Sequence, residues 1–173
     1  VIRWLIGGLV VVAVIVLIAA LYPSANAPDR GPAQAVGARL PALTLPSLHG
    51  AHVDLDRLRG DDVLVNVWAT WCGPCRREMP ALARLSQAMR PRLVVVAIDQ
   101  GEDPQVVGAF VKQFGVNFPI YLDPDQRVGT TLHLVGLPSS FFVDRSGTIR
   151  DAVDGEMNYD TMREKAQRLI AGG

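Results

Sequence analysis

The chain has 173 residues, enough for one domain with appendages. Its 17 basic and 17 acidic side chains cancel, so it lacks the electrostatic footprint that nucleic-acid binding leaves, and no nucleic-acid partner is expected. The 49% apolar content is inflated by the N-terminus, and neither an internal repeat nor a low-complexity tract is present.

Trp4 to Tyr22 is a run of 19 residues without a charge or a proline. At about 1.5 Å per residue it spans roughly 28 Å, close to the hydrocarbon thickness of a bilayer. Arg3 precedes the run and Asp29 is the next charge. The positive-inside bias then leaves the N-terminus in the cytoplasm and everything after Tyr22 on the extracytoplasmic side. Ala25-Asn26-Ala27 offers the alternative of a cleaved signal peptide. Against it, the run is longer than an ordinary signal core, and Pro28 would follow the cut. Both readings export the domain. We expect residues 1–22 to be a single-pass anchor in the cytoplasmic membrane, 23–39 a linker rich in Pro, Ala and Gly, and 40–173 the folded domain.

In chain order, Leu43-Thr44-Leu45 and His52-Val53-Asp54-Leu55 alternate around Ser47-Leu48-His49-Gly50, which predicts a hairpin. Val63 to Trp68 is apolar on both faces, as a central strand covered by helices must be. Arg76 to Met89 has helical spacing, with Pro80 expected to kink it. Leu93 to Ile98 is a second apolar strand. Pro104 to Phe114 is a helix with Val106, Val107, Phe110, Val111 and Phe114 on one face and Gly115 as its stop. Phe118 to Leu122 reads as a short strand and Asp125 to Leu132 as a short helix. Ser139–Val143 and Thr148–Val153 flank Asp144-Arg145-Ser146-Gly147 as a hairpin, and Tyr159 to Ala171 closes the chain as an amphipathic helix. The class is α/β, a mixed sheet covered on both faces.

The only two cysteines, Cys72 and Cys75, lie between the Val63–Trp68 strand and the helix that follows. A thiol just before a helix faces unpaired N–H groups and the positive end of the dipole, which favours the thiolate. Cysteines so placed have pKa values of roughly 3.5–7.5. Cys72 is therefore the candidate nucleophile, and Cys75, one turn on and deeper, the thiol that resolves a mixed disulfide. A bridge closing so short a loop constrains the unfolded chain little, so a purely structural role is a poor explanation. Zinc would need further ligands at metal spacing, and haem attachment would need His where Arg76 stands. No metal is expected. A thiol peroxidase or a copper chaperone remains the alternative reading. Ala69 stands where a peroxidase pattern has Thr or Ser, and His133 is the only late His for copper.

Trp71-Cys72-Gly73-Pro74-Cys75 is the thioredoxin-type motif, and with Val65 to Thr70, Glu78-Met79-Pro80 and Gly136-Leu137-Pro138-Ser139 the chain resembles the membrane-anchored thiol–disulfide oxidoreductases of the TlpA/ResA type, within the redoxin (AhpC-TSA) superfamily. The resemblance runs from about Gly37 to Ala171. It implies a thioredoxin fold with an N-terminal β-hairpin and a central βα insertion. It implies a cis-proline at Pro138 facing the cysteines, with Leu137, Trp71, Gly73 and Pro74 forming the surface that meets substrate. It implies that Glu78 handles protons for the thiols, because Asn66 replaces the buried Asp of thioredoxin six residues before Cys72. It also implies a redox-active Cys72–Cys75 disulfide with no other cofactor, disulfide-bonded protein substrates such as apocytochrome c, and an integral-membrane electron donor. Pro138-Ser139-Ser140 stands where the cytochrome-maturation subgroup of the CcmG type has Pro-Glu-Thr.

Overall fold

The computed structural model describes residues 31–173. The expected anchor over 1–22 and the linker up to residue 30 lie outside the described residues. Among the described residues, no helix is long and apolar enough to cross a membrane.

Strand β3 (Val63–Trp68) is the axis of the molecule, and all six of its residues are buried. Its valines suit a strand packed on both faces. It pairs in parallel with β4 (Val94–Asp99) and antiparallel with β6 (Ser139–Val143). Outside these lie β5 (Ile120–Leu122) and β7 (Ile149–Asp154), giving the order β5-β4-β3-β6-β7. A two-stranded hairpin, β1 (Thr44–Pro46) and β2 (His52–Asp54), forms its own small sheet and touches the main one through its turn, where Ser47 bridges Tyr121 of β5.

The strand period of two sends alternate residues to opposite layers. Leu64, Trp68, Val95, Ala97 and Phe142 face helices α1 (Gly73–Met89), α2 (Pro104–Phe114) and α4 (Tyr159–Ala171). Val65, Val67, Val96, Ile98 and Phe141 face the hairpin and the short α3 (Arg127–Thr131). Helix α2 with strand β5 is the inserted unit, and it adds to the β4 side of the sheet. This is the mixed α/β, thioredoxin-like arrangement.

Three details differ from expectation. Val106 is 49% exposed, whereas Val107 and Phe110 are buried, so the apolar face of α2 is narrower than its valine content suggests. Helix α1 begins at Gly73, capped by Cys72 as the placement of the two cysteines required, although the apolar spacing alone marked only Arg76–Met89; it continues through Pro80 to Met89. The largest difference concerns the linker. Residues 31–39 belong to the folded body, so the domain does not begin at 40. A 3₁₀ turn over Pro32–Ala35 buries Pro32 and Ala35. Beyond it, Gly37 N–H donates to Ile149 O at 2.8 Å, Ile149 N–H to Ala38 O at 2.9 Å and Leu40 N–H to Gly147 O at 2.9 Å. Composition alone cannot show that this Pro/Ala/Gly stretch finds backbone partners along β7.

Candidate active site

Strand β3 delivers the chain to the C-terminal end of the sheet, and helix α1 starts from there. Cys72 is the N-cap of α1, with Gly73 and Pro74 as its first two residues. A proline is tolerated at this point because its missing N–H would have had no helical partner. Cys72 and Cys75 form a disulfide with their Cα atoms 5.2 Å apart. Cys72 Sγ also accepts a hydrogen bond from Cys75 N–H at 3.2 Å. Cys75 is fully buried and Cys72 is 4% exposed, while Trp71 beside them is 71% exposed. Trp68 is fully buried and packs on Phe110 with ring centroids 4.9 Å apart, so of Trp68 and Trp71 only Trp71 belongs to the surface.

Glu78 lies one turn beyond Cys75 and is buried. Its Oε1 accepts from Asn66 Nδ2 at 2.7 Å and its Oε2 from Met157 N–H at 3.1 Å. Asn66 Nδ2 also donates to Ser140 Oγ at 3.0 Å. Burial raises the Glu78 carboxyl to about 7; the bonds from Met157 and Asn66 oppose that rise, and the nearby Glu156 charge adds to it. Glu78 lines a cavity of about 470 Å³ together with Arg77, Glu156 and Met157. A buried acid that titrates near neutrality beside such a cavity is equipped to hold and release a proton.

Pro138 follows a cis peptide bond from Leu137. It stands one residue beyond the Val67–Ser139 pair of the β3–β6 ladder, at the end of β3 from which the cysteine loop departs. Trp71 and Leu137 line one groove of about 340 Å³ together with Gln126, Leu134 and Val135. The sheet thus brings residues 71 and 137, far apart in sequence, onto one apolar-edged surface beside the disulfide.

Arg76 donates to Thr70 O at 3.2 Å and lies over the Phe110 and Phe114 rings, at 5.4 and 5.1 Å from their centroids. Arg77 pairs with Glu156 at 2.6 Å. His49 and His52 are exposed in the hairpin.

Sequence reasoning missed a second carboxyl cluster, at the end of β4. Glu102 accepts from Thr70 N–H and, at 2.5 Å, from Thr70 Oγ1. Asp99 Oδ1 accepts from Glu102 N–H at 3.0 Å. A signal was present: Asp99-Gln100-Gly101-Glu102 is a polar stretch at the carboxyl end of a parallel strand, where α/β sheets place functional groups.

The AhpC/TSA family model matches residues 36–152 of the chain. The chain belongs to the AhpC/TSA family. Within it, this domain is a thioredoxin-like redoxin of the ResA/TlpA type, and it is an oxidoreductase of thiols and disulfides. It is similar to the thiol-disulfide oxidoreductase ResA of Bacillus subtilis (strain 168), 34% identical over 138 residues, 79% of this chain and 76% of that one. ResA of Bacillus thuringiensis (strain Al Hakam) is 32% identical over 135 residues, 78% of each chain. Among solved structures, a secreted Mycobacterium tuberculosis disulfide oxidoreductase homologous to E. coli DsbE aligns with a TM-score of 0.68 and 25% identity, over 74% of this chain and 96% of that one.

Proposed function

We propose that this redoxin reduces disulfides in protein substrates on the extracytoplasmic side of the cytoplasmic membrane. The observation that carries the direction is the buried Glu78 one turn beyond Cys75 on the same helix. Once ionised, Glu78 places a negative charge near the pair. That disfavours thiolates, favours the disulfide, and makes the dithiol a better electron donor.

In the reducing cycle the Cys72 thiolate attacks one sulfur of a substrate disulfide. The substrate S–S bond breaks, and the departing substrate thiolate takes up a proton. Cys75 passes its proton to the Glu78 carboxylate and attacks Cys72 Sγ. The mixed disulfide breaks, and the second substrate sulfur leaves as a thiolate that takes up the proton held by Glu78. Two electrons have passed to the substrate and Cys72–Cys75 is a disulfide again. The couple itself is the electron carrier and needs no added cofactor. Trp71, Gly73, Pro74, Leu137 and the cis-Pro138 form the surface that receives the substrate.

The apolar run Trp4–Tyr22 supports a membrane anchor, and an integral-membrane dithiol donor is the partner that would return the electrons. Disulfide-bonded apocytochrome c is a client that the family resemblance favours. The potential of the Cys72–Cys75 couple tests the direction. A value near that of thioredoxin, about −270 mV, or lower supports a reductase; a value near the strong oxidant DsbA, about −120 mV, overturns it. Mixed disulfides trapped with Cys75→Ala then name the client.

A further inference from the structure

We propose that Glu102, held by Asp99, is a positioning residue for the reaction: it clamps Thr70 and so fixes the loop that presents Trp71 and Cys72. This rests on the thiol–disulfide reading of the site. The geometry is a closed circuit. Every backbone and side-chain polar group of Thr70 is engaged, the N–H and Oγ1 by Glu102 and the carbonyl by Arg76. Cys72 follows only two residues later. Two residues before Thr70, Trp68 O accepts from Gln100 N–H at 3.0 Å, fixing the start of the loop.

Glu102 reaches Thr70 because the chain reverses at Gly101, which has φ +86°. A side chain there would be strained, and its Cβ would stand 3.0 Å from Gln126 Nε2. Asp99 then holds Glu102 from below. It is fully buried, its Oδ1 takes the Glu102 N–H, and its Oδ2 has no hydrogen-bond partner among the described residues. A proton on Asp99 Oδ2, donated to the Glu102 carboxylate, satisfies that atom. Burial and the neighbouring Glu102 carboxyl both push the Asp99 acid upward, in the direction that retains this proton. Arg76, seated on Phe110 and Phe114, closes the circuit from the helix side. A loop held this way presents the nucleophile at one angle, and loss of such placement is costly even when no reacting atom is removed.

The test uses the full chain, reduced, with two readouts: disulfide reduction on insulin, and the pH-dependent rate of Cys72 alkylation by iodoacetamide, which needs no protein substrate. Glu102→Ala is expected to slow both by about tenfold or more while the protein stays folded. Glu102→Gln retains an acceptor for Thr70 N–H and a donor for Thr70 Oγ1, so it is expected to hold both rates within about threefold of wild type. Asp99→Asn donates where the protonated acid does and is expected to behave like Glu102→Gln; Asp99→Ala is expected to follow Glu102→Ala. If Glu102→Ala does not fold, Thr70→Val, which removes only the hydroxyl bond, replaces it, with an expected loss of about threefold. Wild-type rates in Glu102→Ala, or in Thr70→Val where it stands in, overturn the clamp, as does a Glu102→Gln variant as slow as Glu102→Ala. Insulin reduction that survives Cys72→Ser would instead overturn the functional reading, and the alkylation rates still judge the clamp.

Discussion

Asn66 on the central strand donates to Glu78 on the active-site helix at 2.7 Å, and both side chains are buried. The amide supports the carboxyl without competing for its proton. Asn66 Oδ1 has no hydrogen-bond partner among the described residues. An amide turned end for end would let a protonated Glu78 donate to that oxygen, so the pair accommodates both states of the acid.

Glu78 should make folding stability depend on pH. Its folded pKa is raised from 4.5 to about 7. Between those values the folded state keeps a proton that the unfolded chain has released. Its contribution is therefore fully present below about 4.5 and is lost as pH rises through about 7. Glu78→Gln removes the titration. In denaturant unfolding of the oxidised protein, the variant should gain on wild type by about 2 kcal/mol between pH 5 and pH 8. A constant difference across that range would show that Glu78 does not titrate there. Turnover by the variant should fall about 10²-fold, because Cys75 loses its proton acceptor.

Asn66→Asp places a second carboxyl against the first. Both cannot ionise in a buried site, so one must keep its proton. The variant should lose about 3 kcal/mol of stability at pH 8 and much less at pH 5, where both acids are neutral. Thermal unfolding at the two pH values checks this; an equal loss at both would show that the two groups do not share a proton environment.

Trp71 should matter to substrate and not to folding. It is 71% exposed and lines the groove with Leu137. Trp71→Ala is expected to leave unfolding free energy within about 0.5 kcal/mol and to raise KM for a protein disulfide about tenfold. An unchanged KM would remove Trp71 from the substrate surface.

The parts of the fold carried by local pattern were legible in the sequence. The closing helix Tyr159–Ala171 has the expected ends because Asn158 caps it, its Oδ1 accepting from Thr161 N–H at 2.9 Å, and because its apolar residues recur at helical spacing. Strand β3 and the capping Cys72 were legible for the same reason. Glu78 was legible as a candidate, but its partners were not. Met157 reaches it from 79 positions away, and no local rule links the two. Glu102 stands in a polar stretch at a strand end that the sequence displays, but its contact with Thr70 was not legible because its direction depends on the reversal at Gly101.

The segment 31–39 offers a test of where the domain begins. A chain starting at residue 31 should fold as a monomer. One starting at 41 loses the partners of Gly147 and Ile149 and the buried Pro32 and Ala35. It should unfold at least about 5 °C lower and aggregate on heating. Equal melting temperatures would restore residue 40 as the boundary.

The other margin of the sheet is occupied as well. Leu48 N–H donates to Ile120 O at 3.0 Å and Ser47 bridges Tyr121, so the hairpin lies along β5 as residues 37–40 lie along β7. A redox enzyme whose clients expose unpaired backbone runs a hazard that most enzymes do not: the client can zip onto a free strand and stay there. Backbone pairing at Ile120–Tyr121 on one side and at Gly147–Ile149 on the other shortens the free strand at both margins and favours an encounter at the disulfide face. The client is then held chiefly by a single covalent sulfur bond, which the reaction itself cuts.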